Sequence, residues 1–308
     1  MSKKFILAID VGGTNLKAAV LDLRYAIKKR IVLNTKKFQD KEALVAAITA
    51  CAGRIISEAR LQKKDILGLG IGLPGPVDAR KGIVHFLPNI PGWREVKLAA
   101  ILKKKLGFPV YLDNDVNLMA IAELACGAAR GFKNSLCLTL GTGVGGGIII
   151  NGKFYRGANN AAGEIGHLPI NEKGPRCNCG GIACLEAYIG NERILREARK
   201  IFKRRIRLEE LSLLARKGNP KARRIWLEAA ERLGIALVCA VNLLNLDAVI
   251  IGGGVANAGN ILFKKVKETI QRRAMKVASR HVKVFRARLA NDAGLIGGAI
   301  SVKEAGNL

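Results

Sequence analysis

The sequence predicts an α/β protein with two related domains, each opening on a glycine turn between two strands. The chain has 308 residues, a length typical of about two domains. Its 49% apolar and 25% charged residues are those of a globular protein and exclude general disorder. The order strand, glycine turn, strand occurs twice, near residues 6–20 and near 135–150. We interpret this repeat as an internal duplication that would place two glycine turns across one cleft.

Short apolar runs predict the strands of the first half, and apolar residues at helical spacing predict its helices. Leu44, Ile48 and Cys51, for example, have the spacing of one helix face. The predicted elements are, in order, strands at 5–9, 16–22 and about 30–34, a helix at 41–60, a strand at 66–72, a helix at 96–106, a strand at 109–112 and a helix that ends near 127.

The same rules apply to the second half, where Asn151-Gly152 is typical of a two-residue hairpin. The predicted elements are strands at 135–140 and 148–155 around a glycine turn at 141–147, a helical region at 191–245, a strand at 248–252, a helix at about 257–278, a strand at 282–286 and a helix at 294–305. We expect residues 1–117 and 293–308 to form the N-terminal domain and residues 118–292 the C-terminal domain.

Basic residues greatly outnumber acidic ones. The chain has 52 Lys and Arg against 24 Asp and Glu, a net charge of +28, and residues 193–232 contain 14 basic and 5 acidic side chains. Such a charge favours attraction to polyanions. Two interpretations stay open: a surface that binds nucleic acid non-specifically, or helices coated with solvated lysine and arginine. The aromatic content of 5% disfavours a protein that works by stacking bases.

Cysteine usage and the N-terminus predict a cytoplasmic protein. Seven cysteines, an odd number in a long chain, argue against a disulfide framework. The apolar run before Asp10 is too short for a signal peptide. The strongest membrane-span candidate, 233–258, contains Asn242, Asn245 and Asp247. These polar residues favour a buried helix running into a buried strand, so no membrane partner is expected.

Three of the cysteines are clustered. Cys177-x-Cys179-x4-Cys184 begins ten residues after His167, and the intervening Gly180-Gly181 lets the chain fold back. Three thiolates and one imidazole suit tetrahedral zinc, and four protein ligands indicate a structural site. The alternative is a group of buried reduced cysteines, which the tight spacing disfavours.

The glycine runs predict phosphate binding rather than dinucleotide binding. Segments 70–75 and 141–146 both match the pattern G-x-G-x-x-G, but neither opens a helix, as a dinucleotide site requires. Glycine turns do expose backbone N–H groups that hold phosphate oxygens. Thr14 and Thr142 add hydroxyls at matching places in two of the turns, and a third glycine run covers 252–254.

Carboxylates supply the candidate chemistry. Asp113 and Asp115 flank Asn114 where a strand ends and a helix begins. A carboxylate there can take a proton from a substrate hydroxyl or cap the helix, and the spacing leaves both roles open for either aspartate. Two further acids and a histidine flank the cysteine cluster and suit the vicinal hydroxyls of a sugar, the alternative being solvated surface glutamates; they are Glu164, His167 and Glu186.

Together these motifs resemble the ROK family of sugar kinases and repressors over essentially the whole chain. The matching segments are Asp10–Lys17 for the first phosphate motif, Leu140–Ile148 for the second with its continuation Gly157…Gly163–His167, Ile250–Val255 for the adenosine segment and Cys177–Glu186 for the zinc loop. The resemblance implies the two-domain actin-like, hexokinase-type (RNase H-like) ATPase fold, with a cleft between the domains. The last helix would return to the N-terminal domain.

The resemblance also implies a role for each matching residue. Asp115 would be the catalytic base on the 6-hydroxyl of the sugar. The residues implied in sugar binding are Gly75, Asn89, Asn114, Asp115, Glu164, His167 and Glu186. Those implied in binding Mg-ATP are Asp10, Gly12, Gly13, Thr14, Asn15, Lys17, Gly141, Thr142, Gly143, Gly145, Gly253 and Gly254, with Asp10 near the metal through water. The implied zinc ligands are His167, Cys177, Cys179 and Cys184.

The implied activity is that of an ATP-dependent hexose kinase, and segment 89–93 with the order of the motifs most resembles bacterial glucokinases of the family. Kinases for N-acetylmannosamine, N-acetylglucosamine or fructose share the same implied residues and stay open. A non-catalytic role in sugar sensing or polyanion binding is the alternative from another class. The first phosphate motif begins at residue 10, so we expect no repressor-type helix-turn-helix before it. A homodimer or homotetramer is expected, as in most members.

Two departures from the family pattern stand out. Ala183 occupies a position in the zinc loop that is usually glycine, which affects the geometry of the loop but removes no ligand. After Glu186 the sequence reads Ala-Tyr-Ile-Gly-Asn-Glu instead of a run of small residues, which bears on substrate choice.

Overall fold

A computed structural model describes residues 4–12, 15–34, 40–87, 90 and 92–306. Contacts within the chain define two compact units. The first unit contains Met1–Ala122, Arg156–Ala161 and Asn291–Leu308, and the second contains Glu123–Tyr155 and Ala162–Ala290. The sequence-based domain division at 117/118 and 292/293 stays a prediction.

The first unit is built on a five-stranded sheet in the order β3-β2-β1-β4-β7. The strands are β1 (Phe5–Val11), β2 (Asn15–Asp22), β3 (Ile27–Asn34), β4 (Ile66–Leu73) and β7 (Val110–Asn114), with a small hairpin of β5 (Val77–Asp78) and β6 (Ile83–Val84). β1, β2 and β3 pair antiparallel, whereas β4 and β7 continue the sheet parallel to β1. The carboxyl ends of β1, β4 and β7 therefore lie along one edge.

Helices cover both faces of this sheet, which explains why β1 is apolar at successive positions. The helices are α1 (Lys41–Glu58), α2 (Leu98–Leu106), α10 (Ala293–Ala305) and α3 (Asp115–Cys126), of which residues from Glu123 onward belong to the second unit. Leu7 and Ile9 of β1 belong to the core that α1 and α2 cover. Ile6 and Ala8 point to the opposite face, where they join the core under α10.

Glycines let α10 approach the sheet closely. A Cβ atom on Gly70 would overlap the backbone of Gly298, and one on Gly297 would overlap the backbone of Leu118. The first segment that matched the dinucleotide pattern therefore has a packing reason for its glycine.

The second unit repeats the topology of the first, with the sheet order β10-β9-β8-β11-β12. The strands are β8 (Ser135–Leu140), β9 (Val144–Ile150), β10 (Lys153–Tyr155), β11 (Ala248–Gly252) and β12 (Lys283–Arg286). Again the first three strands pair antiparallel and the next two are parallel to the first. The predicted duplication is thus present as a repeated fold, and Asn151 and Gly152 turn the β9–β10 hairpin with φ values of 52° and 72°.

The helices of the second unit form one large core with its sheet. They are α4 (Glu186–Ile189), α5 (Asn191–Phe202), α6 (Leu208–Arg216), α7 (Pro220–Leu244), α8 (Asn260–Arg273) and α9 (Lys276–His281). The predicted helical region 191–245 is three helices. Lys203, with φ of 56°, ends α5, and Asn219 caps α7 through Ala222 N at 3.0 Å, with Pro220 in the first turn.

The membrane-span candidate 233–258 is the end of α7 followed by β11. Among the described residues, no helix combines the length and the apolar character needed to cross a membrane.

Candidate active site

Two carboxylates meet at the edge of the first unit where its parallel strands end. Asp10 is the penultimate residue of β1, and Asp115 begins α3 directly after β7. Gly72 of β4 separates them, because a Cβ atom there would lie 3.6 Å from both Asp10 Oδ1 and Asp115 Cα. Carboxyl ends of parallel strands are where open α/β sheets bind ligands.

Burial and neighbouring charges shift the pKa values of both acids. Burial raises the pKa of Asp115 to about 7, and the negative charge of Asp10 contributes in the same direction. Burial also raises the pKa of Asp10, whereas Lys17, with Nζ 3.7 Å from Asp10 Oδ2, lowers it. Asp115 is therefore poised to exchange a proton near neutral pH, and strongly perturbed carboxylates of this kind are typical of active sites.

The structure separates the roles of the two aspartates around Asn114. Asp113 is buried, and its carboxylate accepts from Arg156 Nη2 at 2.6 Å and from Asn117 Nδ2 at 2.8 Å. Neither aspartate is the main cap of α3, because Asn114 Oδ1 accepts from Val116 N at 2.9 Å and from Asn117 N at 3.3 Å. Asp115 accepts from Val116 N at 2.9 Å. Asp115 is consequently the aspartate that geometry leaves for chemistry.

Two predicted sugar-binding residues come together beside Asp115. Asn114 Nδ2 donates to Gly75 O at 3.0 Å, and Gly75 has a φ of 101°, which favours glycine. The third residue predicted for this part of the pocket, Asn89, lies outside the described residues.

The first glycine turn is described only in part. Gly12 N donates to Asn15 O at 2.9 Å, which closes the turn between β1 and β2. Gly13 and Thr14 lie outside the described residues. Gly294, at the start of α10, packs against the Asp10 carboxylate so closely that a Cβ atom there would lie 3.0 Å from Asp10 Cγ.

The second glycine turn is shorter than the sequence predicted. Only Gly141–Gly143 form the turn, closed by Gly141 N donating to Gly143 O at 2.9 Å. Gly145 lies inside β9, where it pairs with Thr139. The glycines of β9 serve close packing instead, since a Cβ atom on Gly146 would lie 2.5 Å from Gly163 O.

Two other predicted residues, Glu186 and Gly253, lie beside this second turn or the end of the strand before it. Glu186 Oε2 accepts from Val144 N at 2.8 Å and would clash with a Cβ atom on Gly143. Gly253, with φ of 85°, packs against the backbone of Leu140, and its neighbour Gly254 opens the following turn of 3-10 helix. The carboxylate of Glu186, bound to Val144 N, therefore lies beside Gly141–Gly143.

The cysteine cluster has the geometry of a zinc site. One ligand atom from each of His167, Cys177, Cys179 and Cys184 lies within 4.8 Å of every other. Cys179 Sγ lies 3.7 Å from Cys184 Sγ, and Cys177 Sγ lies 3.8 Å from His167 Nδ1. Tetrahedral zinc with Zn–S bonds of about 2.3 Å requires sulfur atoms about 3.8 Å apart, so the four residues fit the ion.

The predicted fold-back at the glycine pair is present. Gly180 has a φ of 92°, and Cys177 N donates to Gly181 O at 2.8 Å. Glu164 and His167 lie on the segment that packs against β9, where Glu164 Oε2 is 3.8 Å from His167 Nε2. The structure therefore places His167 in the cluster by one ring nitrogen and beside Glu164 by the other.

Sequence reasoning missed Arg156 and Asn117, which hold Asp113. Arg156 lies 43 positions from its partner, and no local pattern announces such a pair. Asn117 is four residues after Asp113, but Asp113 lies in β7 and Asn117 in α3, so the rule for neighbours on one helix did not predict the pair.

The duplicated α/β fold with two glycine turns defines the actin-like, hexokinase-type class of ATPase, as predicted. A family profile described as the ROK family matches residues 6–305. The chain therefore belongs to the ROK family.

Relatives of two kinds are similar to this chain. A glucokinase of Halalkalibacterium halodurans is 36% identical over 100% of this chain and 97% of its own length. A crystal structure of a ROK family glucokinase from Streptomyces griseus, in complex with glucose and AMPPNP, is 31% identical with a TM-score of 0.85, and the match covers 97% of this chain and 99% of that one. A xylose repressor of Caldicellulosiruptor bescii is 30% identical over 95% of this chain and 76% of its own length.

Proposed function

We propose that this protein is an ATP-dependent glucokinase that transfers the γ-phosphoryl group of ATP to the 6-hydroxyl of glucose. The observation that carries the proposal is Asp115, a carboxylate at the carboxyl edge of the first unit with a pKa raised to about 7 beside Asp10. The glucokinase names of the relatives, and the glucose and AMPPNP bound by one of them, support the same reaction.

Asp115 is the proposed general base. Phosphoryl transfer has a loose transition state, so catalysis depends mainly on position and charge, and the proton leaves the attacking hydroxyl late. A carboxylate with a pKa near 7 is a stronger proton acceptor than an ordinary aspartate, yet half of it is ionised at pH 7 and most of it above pH 8. Asn114 and Gly75, which are hydrogen-bonded to each other, are the proposed sugar contacts next to the base.

The proposed ATP contacts come from both glycine turns. In the first unit they are Asp10, Gly12, Gly13, Thr14, Asn15 and Lys17; in the second they are Gly141, Thr142, Gly143, Gly145, Gly253 and Gly254. Gly145 has the least support as an ATP contact, because it lies in β9 and pairs with Thr139 of β8. Mg²⁺ bound with ATP would neutralise the phosphate charge, and Asp10 is proposed to hold it through water. The Asp10 carboxylate lies 3.7 Å from Lys17 Nζ and packs against Gly294.

Zinc is proposed as a structural ion held by His167, Cys177, Cys179 and Cys184. Burial and the neighbouring thiols raise the pKa of Cys184 to about 12, so binding of the ion displaces a proton from that residue. The ion would fix the ring of His167 and, beside it, Glu164, both proposed to contact the sugar. Glu186 is also proposed to contact the sugar. In the structure its carboxylate accepts a hydrogen bond from Val144 N, next to the glycine turn.

The test is ADP release from Mg-ATP with glucose, mannose, fructose, allose, N-acetylglucosamine and N-acetylmannosamine. Glucose-dependent turnover that is lost in Asp115→Asn and kept in Glu42→Gln, an exposed carboxylate of α1, is the expected result. Preference for an acetamido sugar would keep the mechanism and replace the substrate. Absence of turnover on every sugar would contradict the proposal and favour the sugar-sensing role that the repressor relative suggests. The predictions of a cytoplasmic location and of a dimer or tetramer stay predictions.

A further inference from the structure

We propose that Arg156 and Asp113 form a positioning pair that fixes where Asn114 and Asp115 lie. The inference rests on the proposed kinase function, because it names what holds the proposed base. Arg156 Nη2 lies 2.6 Å from Asp113 Oδ2, and the Asp113 side chain is only 2% exposed. Charge-assisted hydrogen bonds are stronger than neutral ones, and loss of either partner here would leave a buried charge uncompensated.

Asp113 connects this guanidinium to the start of α3. Its second oxygen, Oδ1, accepts from Asn114 N at 2.8 Å and from Asn117 Nδ2 at 2.8 Å. Three donors therefore fix the carboxylate, one from Arg156, one from the residue before the base and one from the first turn of the helix that carries the base. A rotation of Asp113 would break bonds on both sides of Asp115.

Asn114 extends the same network toward the proposed sugar contacts. Its amide side chain caps α3 through Val116 N and donates to Gly75 O. Asn114 N donates to Asp113, and Asp113 is paired with Arg156. The orientation of this cap therefore depends on the ion pair. The network thus links Arg156 to Gly75 through Asp113 and Asn114, which precede Asp115, and its branch to Asn117 lies after Asp115.

The place of Arg156 in the chain suits this role. Arg156 begins the segment Arg156–Ala161, which belongs to the first unit although the residues before and after it belong to the second. The bidentate-capable, permanently charged guanidinium compensates the buried carboxylate in a way that lysine reproduces poorly. Both are positioning residues: Arg156 binds Asp113, Asp113 holds the backbone before Asp115, and neither has to touch a reacting atom.

The experiment compares Asp113→Asn, Arg156→Lys and the double variant, with Arg54→Lys and Glu58→Gln as the control pair. Arg54 and Glu58 form an exposed i,i+4 pair on α1 in the same unit. Each positioning variant should lower kcat by roughly 10- to 100-fold, because small displacements of a catalytic group cost this much, with KM for ATP changed less than about twofold. The double variant should be little worse than either single one, since the two act as a unit. The control pair should leave kcat unchanged.

A second readout does not depend on turnover. Amide hydrogen exchange at Val116 and Asn117 should be faster in Asp113→Asn and Arg156→Lys than in the control variants, at a temperature where all remain folded. A lowered melting temperature with unchanged kcat and unchanged exchange at these amides would overturn the proposal. If the unaltered protein phosphorylates no sugar, the proposed function fails, and the exchange data alone decide the positioning claim.

Discussion

The two units share one sheet topology but differ in what their strand ends carry. In the first unit, β1 and β7 end at two carboxylates, Asp10 and Asp115, each with a raised pKa. In the second unit, the turn after β8 consists of Gly141, Thr142 and Gly143. The acid beside this turn, Glu186, accepts a hydrogen bond from Val144 N. Under the proposed function, one copy of the repeated fold supplies acid–base chemistry and the other supplies backbone contacts to phosphate.

Glycine serves different purposes in the two copies. Gly294 at the start of α10 leaves room for the carboxylate of Asp10, since a Cβ atom there would lie 3.0 Å from Asp10 Cγ. Gly253, which follows β11 in the second unit, lets one backbone segment lie against another at Leu140. The same residue type opens space for acids in one unit and brings main-chain groups together in the other.

The largest expected effect is that of Asp115→Asn. Loss of the base should lower kcat by about 10²- to 10⁴-fold, the usual contribution of general base catalysis. For the unaltered protein, kcat/KM for glucose should fall tenfold per pH unit below about 7, because only ionised Asp115 accepts the proton. A pH profile that is flat between 5.5 and 8 would contradict the assignment.

The same variant should be more stable than the unaltered protein at pH 8. The pKa of Asp115 is raised in the folded state, so below about pH 4 the carboxyl is protonated both folded and unfolded and costs nothing. Between pH 4 and 7 the protein loses stability, because this carboxyl ionises in the unfolded chain while the folded chain still holds it protonated. Asp115→Asn should thus gain roughly 2–4 kcal/mol at pH 8 and little at pH 4, as urea unfolding at both pH values would measure. Equal stability at pH 8 would indicate a solvated carboxylate.

The next largest effect concerns the second unit. Cys184→Ser should remove bound zinc, which we expect at about one ion per chain, and lower the melting temperature by on the order of 5–10 °C. Cys239→Ser, which alters an exposed cysteine of α7, is the control and should retain the ion. Metal analysis and thermal unfolding measure both. Full zinc content in Cys184→Ser would show that the cluster holds the ion differently or not at all.

Glu186→Gln tests whether the second unit uses its acid on the backbone or on the substrate. Loss of the charge weakens the bond to Val144 N by about 1 kcal/mol and should raise KM for ATP about fivefold, with KM for glucose unchanged. Glu192→Gln, an exposed acid of α5, is the matched control. An increase confined to KM for glucose would instead support the predicted role of Glu186 in the sugar pocket.

Much of the fold was predictable because its signals are local. Apolar runs and helical spacing gave the strands, the main helices and the duplication, which the repeated sheet order confirms. The division of 191–245 into three helices was predictable at Gly218 and Pro220, which end and begin helices. It was not predictable at Lys203, a residue type that rarely adopts its φ of 56°.

The site was predictable in its residue types but not in its partners. The sequence identified Asp113 and Asp115 as candidates, but only the fold shows that Arg156 binds the carboxylate of Asp113. Gly145 was assigned to the turn because glycine marks turns, whereas in β9 the glycine run serves close packing with Gly163. Contacts between residues far apart in sequence leave no local pattern, so these assignments required the structure.

The smallest expected effect concerns Ala183, the departure from the family pattern in the zinc loop. Ala183 is buried and has a φ of 57°, a left-handed conformation that favours glycine. Ala183→Gly removes about 1 kcal/mol of backbone strain but also loses a buried methyl group worth about 0.8 kcal/mol and adds freedom to the unfolded chain. We therefore expect a melting temperature within about 3 °C of the unaltered protein, with zinc retained.

Ala183→Val provides the contrast, because a β-branched residue is worse in this conformation and has no space to occupy. It should lower the melting temperature several times more than Ala183→Gly does. If Ala183→Gly were the more damaging change, packing of the methyl group against the loop would matter more than the backbone. The preference for glycine here would then not arise from its φ.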